Sequence, residues 1–187
     1  MVLKAAFTLA FAGSLQVGEF TSKPGGKDLG HTFWTWVLTK GSIKTRASRR
    51  YLEVALPAST TEPFRNGINP EIATRYDNTC PVSAMKPYLA SDTHRASHEP
   101  LFCNGRYQQL VFTREYVILK LYQLANMAGL EQGMYNRHSF SRGATRLAAE
   151  VRISDSEMKT LGRWRCEAYK RYIEYPSQER LALAKCC

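Results

Sequence analysis

The sequence has few cysteines, few acidic residues and no apolar stretch as long as a membrane-spanning helix. Its 5 cysteines are odd in number and include no Cys-x-x-Cys pair. This usage argues against a disulfide framework and predicts reduced thiols in the nucleus or cytoplasm. The apolar segment 2–15 is shorter than the roughly 20 residues that cross a bilayer. It therefore predicts a buried first helix and no membrane partner.

Several motifs of enzyme sites are also missing. The sequence contains no glycine-rich phosphate loop, no nucleophile elbow and no His-Glu-x-x-His motif. His94 and His98 have the i, i+4 spacing of two metal ligands on one helical face, with Cys103 nearby. Pro100 interrupts the weak helical pattern, and no fourth ligand is apparent. The segment is therefore predicted to be a solvated loop, and the chain to need no metal or cofactor.

Positive charge dominates what is present. The 187 residues include 26 Lys and Arg against 16 Asp and Glu, which gives a formal net charge of +10. A basic domain favours an anionic partner, with nucleic acid ahead of an acidic membrane surface. Charge alone leaves open a basic protein with no such partner. The length fits a single domain over residues 1–187 with a core of its own.

Apolar patterning and turn signals predict an α+β domain that is mostly helical, with a small antiparallel sheet near the N-terminal third. Strands are predicted over residues 31–38 and 51–56, joined through the basic run 40–50. A third short strand is predicted near Ile68, after an Asn-Gly turn. The proline-rich stretch that follows has room for a short helix over residues 82–89.

Cap and breaker residues predict the helices of the second half of the chain. In chain order, the predicted signals are the cap Thr113 with the stop Gly129, the cap Ser139 with an end near Val151, the capping box of Ser154 and Glu157 with the stop Gly162, a helix carrying Tyr169 and Tyr172, and a short helix over 177–185. No internal repeat or linker divides this pattern.

Three residues of the C-terminal half suggest chemistry on phosphate. His138 and Arg142 fall at a predicted helix start, where backbone N–H groups favour a phosphate and a guanidinium can bind two of its oxygens. A buried capping histidine beside a surface arginine explains these two residues equally well. Tyr172 follows in a basic segment, and a tyrosine can attack phosphorus if cationic donors stabilise the developing charge. Such a site needs several arginines and no metal.

The segments HSFSRGAT and LGRWRCEAYKRYIEY resemble the C-terminal signature of tyrosine recombinases of the phage-integrase type. The likeness is to the branch found in fungal genomes and related to DIRS and Crypton mobile elements. LQVGEFT, LPASTTEPFRNGI, TCPVSAMK and FTREYVILKLYQLANMAGL are similar to further motifs of that branch, so the likeness covers essentially the whole chain. It implies a catalytic core for DNA recombination and integration on double-stranded DNA, without the helical domain that precedes this core in the family.

Carried over residue by residue, the resemblance places the nucleophile on Tyr172 and a second site residue on His138. A further site position falls on Arg163 or Trp164, between which the motif does not choose. DNA contacts are expected from basic residues, namely Lys44, Arg46, Arg65 and Arg142. Lys44 is also one candidate to replace a missing catalytic lysine. Family members assemble as oligomers on DNA, which makes a homo-oligomer a further expectation.

Three charged positions of the family's site carry neutral residues in this chain. The first catalytic arginine falls on Gln16, the catalytic lysine on Thr60 and the second arginine on Ser141, with Arg142 as its neighbour. Losing one oxyanion donor typically lowers a rate by about 10²–10³. The prediction is a DNA-binding domain with impaired catalysis. One alternative is an active recombinase that forms a 3′-phosphotyrosyl intermediate through Tyr172, with His138 and Arg142 as catalytic residues that stabilise the phosphate. The other is a co-opted or relic interaction module that binds no DNA.

Overall fold

The computed structural model describes residues 1–22, 37–45, 50–56, 69–104, 110–164 and 167–173. Within these ranges the chain forms six α-helices, a three-stranded antiparallel sheet and a separate two-stranded ladder. The predicted α+β class is therefore confirmed. The predicted helix 177–185 and the Asn-Gly turn before Ile68 lie outside the described residues.

The first helix, α1 (Val2–Ala12), is buried in the core. Its small residues Ala5, Ala6 and Ala10 are fully buried and let α1 closely approach two later helices, α3 (Pro81–Ala90) and α5 (Ser139–Glu150). The helix ends before the predicted Leu15, because Ser14 adopts a left-handed φ of 49° and the Leu15 N–H turns back to the Ala10 carbonyl at 2.7 Å. A second short helix, α2 (Val17–Phe20), follows directly.

The three-stranded sheet has the order β1–β2–β3. Its strands are β1 (Ile43–Thr45), β2 (Tyr51–Val54) and β3 (Glu71–Ala73), with Leu52 opposite Ile72. In its described part the basic run 40–50 therefore contains a 3-10 helix (Lys40–Ser42) and the strand β1.

Residues 31–36 of the predicted strand 31–38 lie outside the described residues, and the prediction is wrong for the last two, 37 and 38. Residues 37 and 38 are not in a strand, because the Leu38 N–H donates to the Glu19 carbonyl and the Leu38 carbonyl accepts from the Leu101 N–H, both at 2.8 Å. These two hydrogen bonds hold the segment against α2 and against Leu101. The predicted strand 51–56 is confirmed in its first four residues.

The middle of the chain contains α3 (Pro81–Ala90), the ladder of β4 (Cys103–Asn104) with β5 (Leu110–Val111), and α4 (Arg114–Met127). The predicted cap of α4 is confirmed, since the Thr113 side chain accepts the Tyr116 N–H. Gly129 follows with φ of 69°, as a stop signal requires. His94 and His98 are exposed in the loop after α3, which confirms the predicted solvated loop.

The C-terminal part contains α5 (Ser139–Glu150), α6 (Asp155–Gly162) and a 3-10 helix (Glu167–Tyr172). The capping box of Ser154 and Glu157 is confirmed. The predicted cap Ser139 is instead the first residue of α5, because its hydroxyl accepts the N–H of the preceding Asn136 and His138 takes the cap position. The helix that was predicted to carry Tyr169 and Tyr172 is a 3-10 helix where the structure describes it.

Two apolar clusters hold these elements together. The larger one joins α1, α2, the sheet, α3, α4 and Phe140 of α5, and the smaller one surrounds Tyr169 with Ala148 of α5 and Met158 of α6. Because α5 contributes to both, it connects the C-terminal segment to the main core. None of the helices in the described ranges is long and apolar enough to cross a bilayer.

Gly162 shows how closely the C-terminal segment is packed. A Cβ atom at this residue would lie 1.9 Å from Nε1 of Trp164. Gly162→Ala is expected to displace the indole and lower the free energy of unfolding by about 1–3 kcal/mol, the usual effect of overpacking. Urea denaturation measures the loss. Gly133→Ala is the control, since its nearest neighbour would be 3.9 Å away; equal stability of the two variants would contradict the prediction.

Candidate functional site

Three separate parts of the chain meet at the start of α5. Phe20 of α2 lies with its ring centroid 6.0 Å from that of Phe140 in the first turn of α5. Ser22, two residues after the end of α2, donates its N–H to the Phe112 carbonyl at 2.8 Å. The helix α2 also contacts α4. The segment that begins at Gln16, the first turn of α4 and the first turn of α5 therefore form one neighbourhood.

His138 is partly buried at the cap position of α5. Its backbone N–H donates to Oδ1 of Asn136 at 2.9 Å, and its Nε2 accepts from Nε of Arg137 at 3.0 Å. An imidazole nitrogen that accepts a hydrogen bond carries no proton. Burial lowers the pKa of His138, and the nearby guanidinium groups of Arg137, Arg142 and Arg114 lower it further. His138 is thus a neutral group in a strongly positive surrounding.

Arg142 lies beside His138, but its side chain does not point in the direction of Ser141, where the resemblance places an arginine. Its Nη2 donates to the Met134 carbonyl at 2.6 Å, which directs the side chain toward the connection between α4 and α5. Ser141 is buried, and its hydroxyl donates to the His138 carbonyl at 3.2 Å. Successive residues of a helix point about 100° apart, so these two side chains leave α5 in different directions.

Arg163 is held in the interior by the turn between α1 and α2. Its Nη2 lies 2.9 Å from Oε2 of Glu19, and both side chains are only 3% exposed. Nη1 donates to the Gly13 carbonyl at 2.9 Å. Burial raises the pKa of Glu19, and the Arg163 guanidinium opposes that rise. Arg163 therefore joins the end of α6 to the first two helices.

Gln16 belongs to the same arrangement through its backbone. Its N–H donates to Oε2 of Glu19 at 2.8 Å, the oxygen that also accepts from Arg163. Gln16 caps α2 in this position. The structure thus brings Gln16 and Arg163 to one carboxylate, two of the positions that the resemblance assigns to the site.

Tyr172 and Trp164 form a second group. Their ring centroids are 5.5 Å apart, and both side chains are partly buried. Tyr169 is fully buried in the smaller cluster, so of these two tyrosines only Tyr172 has an accessible ring. The 3-10 helix that carries them contacts α5 and α6. Among the described residues, no hydrogen bond or ion pair joins Tyr172 to His138 or Arg142.

Lys44 is exposed on β1, and its Nζ lies 3.6 Å from Oε1 of Glu53 on the adjacent strand. It makes no described contact with the His138 neighbourhood. Thr60, Arg46 and Arg65, the other residues predicted for catalysis or DNA contact, lie outside the described residues.

Arg114 is a residue of this neighbourhood that the sequence analysis missed. It is the first residue of α4, and its charge acts on His138. A cation in the first turn of a helix is unfavourable because the backbone dipole is positive there. That unfavourable placement, directly after the cap Thr113, was the available signal in the sequence.

The described residues offer an anion site more readily than a cation site. No group of three or more His, Cys, Asp or Glu side chains in the described ranges is arranged to hold a metal ion. Cys103 is buried beside Arg95, with Sγ 2.8 Å from Nη1, and burial raises its pKa to about 11. No protein-family model matches this sequence, and no curated protein matches it.

Proposed function

We propose that this chain is a DNA-binding domain of the tyrosine-recombinase type, with a site that binds a phosphodiester but does not cleave it. One observation carries the proposal. Arg137, His138 and Arg142 gather at the start of α5, within the influence of Arg114, and the first turn of that helix has no acidic residue. A phosphate placed there would meet guanidinium groups and backbone N–H groups together.

The charge of the whole chain agrees with this proposal. A formal net charge of +10 attracts double-stranded DNA over distances longer than a hydrogen bond. The order of elements, a small sheet followed by helices that lead to the His138 turn and then to Tyr172, is also what the resemblance implies. In the proposal the chain works in the nucleus or cytoplasm without a cofactor, and a homo-oligomer forms on DNA.

Loss of cleavage follows from what surrounds Tyr172. Gln16 and Ser141 are neutral where the resemblance places arginines, and Arg163 is bound to Glu19 in the interior. Arg142 points toward Met134. A nucleophilic tyrosine needs cations on the phosphate oxygens in order to react. In the proposal the site keeps the arginines that bind a phosphate, but it lacks the cations that would stabilise the transition state of cleavage.

Binding to duplex DNA tests the proposal. Fluorescence anisotropy with a labelled duplex is expected to show binding at about 50 mM salt and a roughly 10²-fold weaker affinity at about 200 mM, as for a protein that neutralises about four phosphates. Arg142→Gln should reduce the slope of log affinity against log salt by about one. Arg152→Gln, an exposed arginine beyond the end of α5, is the control. No binding at low salt would contradict the proposal.

A further inference from the structure

The start of α4 is hydrogen-bonded to Ser22, two residues after the end of α2. Ser22 forms a parallel bridge with Thr113, and its N–H donates to the Phe112 carbonyl at 2.8 Å. Thr113 in turn accepts the Tyr116 N–H with its hydroxyl at 3.2 Å, which starts α4 at Arg114. The position of the Arg114 backbone relative to α2 is therefore set by hydrogen bonds.

The Arg114 side chain lies against the backbone of α2. Its Nη2 is 3.3 Å from the point where a Cβ atom on Gly18 would stand. Gly18 follows Gln16 by two residues. The resemblance places its first arginine at Gln16. The missing side chain of Gly18 leaves room for the guanidinium, so a cation lies against α2 two residues along the chain from Gln16, which has no charge of its own.

Of the three arginines near His138, Arg114 makes the fewest described hydrogen bonds. Arg137 donates to His138, and Arg142 donates to the Met134 carbonyl. Within the described part of the chain, Arg114 makes no hydrogen bond or ion pair, and its side chain is exposed. Its guanidinium donors remain available for a ligand.

The electrostatics of this placement favour an anion. Arg114 lies close enough to His138 to act on its charge, as do Arg137 and Arg142. The guanidinium groups repel one another, and the positive ends of the α4 and α5 dipoles add to that repulsion. A phosphate between them would be attracted to each of these positive groups and would offset their mutual repulsion.

We infer that Arg114 is a phosphate-binding residue of this site, which enters from α4 beside Gly18 and takes the place of the arginine missing at Gln16. The inference rests on the proposed function for the presence of a DNA ligand. It does not depend on cleavage, and it assigns the site a residue outside the motif positions.

The first test compares DNA binding by the wild-type chain and by Arg114→Gln, with anisotropy measured across a range of salt concentrations. The variant is expected to bind roughly tenfold more weakly or worse at low salt, because it loses a charge-assisted contact. Its salt slope should fall by about one. Arg152→Gln removes the same charge elsewhere and should change neither quantity measurably. Circular dichroism should show the same fold for both variants, since the Arg114 side chain is exposed.

The second test asks whether Arg114 takes the place of an arginine at Gln16. In the double variant Gln16→Arg, Arg114→Gln, the affinity and salt slope of the wild type should return, because the new guanidinium would reach the same phosphate from α2. Weak binding that Gln16→Arg does not restore would overturn the replacement.

The two proposals fail in different ways. If the wild-type chain binds no DNA at low salt, the proposed function fails. If the wild type binds and Arg114→Gln binds equally well with an unchanged slope, the proposed function stands and the assignment of Arg114 is overturned.

Discussion

Arg163→Met is expected to lower the free energy of unfolding by about 3–5 kcal/mol, because it leaves the Glu19 carboxylate buried without its cation. Both side chains are 3% exposed, and 2.9 Å separates Nη2 from Oε2. The substitution also removes the donors of the Gly13 and Ser14 carbonyls. Urea denaturation at neutral pH measures the change. Such a loss is a large fraction of the stability of an ordinary domain.

The double variant Arg163→Met, Glu19→Gln should regain much of this loss, because it removes the buried charge together with its partner. Arg146→Met is the matched surface control: Arg146 pairs with Glu150 at 3.3 Å, but both side chains are more than half exposed. Exposed pairs contribute about 0–1 kcal/mol. If Arg163→Met were no more harmful than Arg146→Met, the buried pair would not stabilise the fold.

The stability deficit of Arg163→Met should also depend on pH. Burial raises the pKa of Glu19 in the folded state, and loss of Arg163 raises it further. A carboxyl group with a raised folded pKa favours folding below its unfolded pKa, and this contribution is lost as pH rises through the folded pKa. The deficit should therefore be smaller at about pH 5 than at about pH 8. A deficit of equal size at both would show that Glu19 is not its cause.

Tyr172 is expected to form no covalent adduct with DNA. Gln16 and Ser141 are neutral at two positions where the resemblance places arginines, and Thr60 stands where it places a lysine. Each missing donor typically lowers a rate by about 10²–10³, and charged donors should matter no less. The measurement is denaturing electrophoresis of the chain after incubation with nicked duplexes of randomised sequence, so that the choice of one target does not decide the outcome.

Tyr172→Phe is the control for this experiment, because it keeps the ring and removes the nucleophilic oxygen. Adduct levels should be the same in the wild type and in this variant. An adduct present in the wild type and absent in Tyr172→Phe would contradict the prediction. It would favour the alternative of an active recombinase with a 3′-phosphotyrosyl intermediate.

Local sequence was sufficient for the ends of several helices. Thr113 begins α4, Gly129 stops it, and Ser154 with Glu157 begins α6, all as predicted. These signals work because a cap bonds to backbone groups only a few residues away. The overall α+β composition follows from the same kind of short-range pattern.

Contacts between distant parts of the chain decided the rest. Leu38 leaves the predicted strand because its partners are Glu19 and Leu101, which no local pattern reveals. The first helix ends early, and the carbonyls of the turn that follows it bind Arg163. The ion pair of Arg163 with Glu19 joins residues 144 positions apart. Arg114 lies next to Gly18 because the start of α4 is bonded to Ser22, far away in the sequence. The residue types of the candidate site were visible in the sequence, but tertiary packing determined which arginines face His138 and which one is buried.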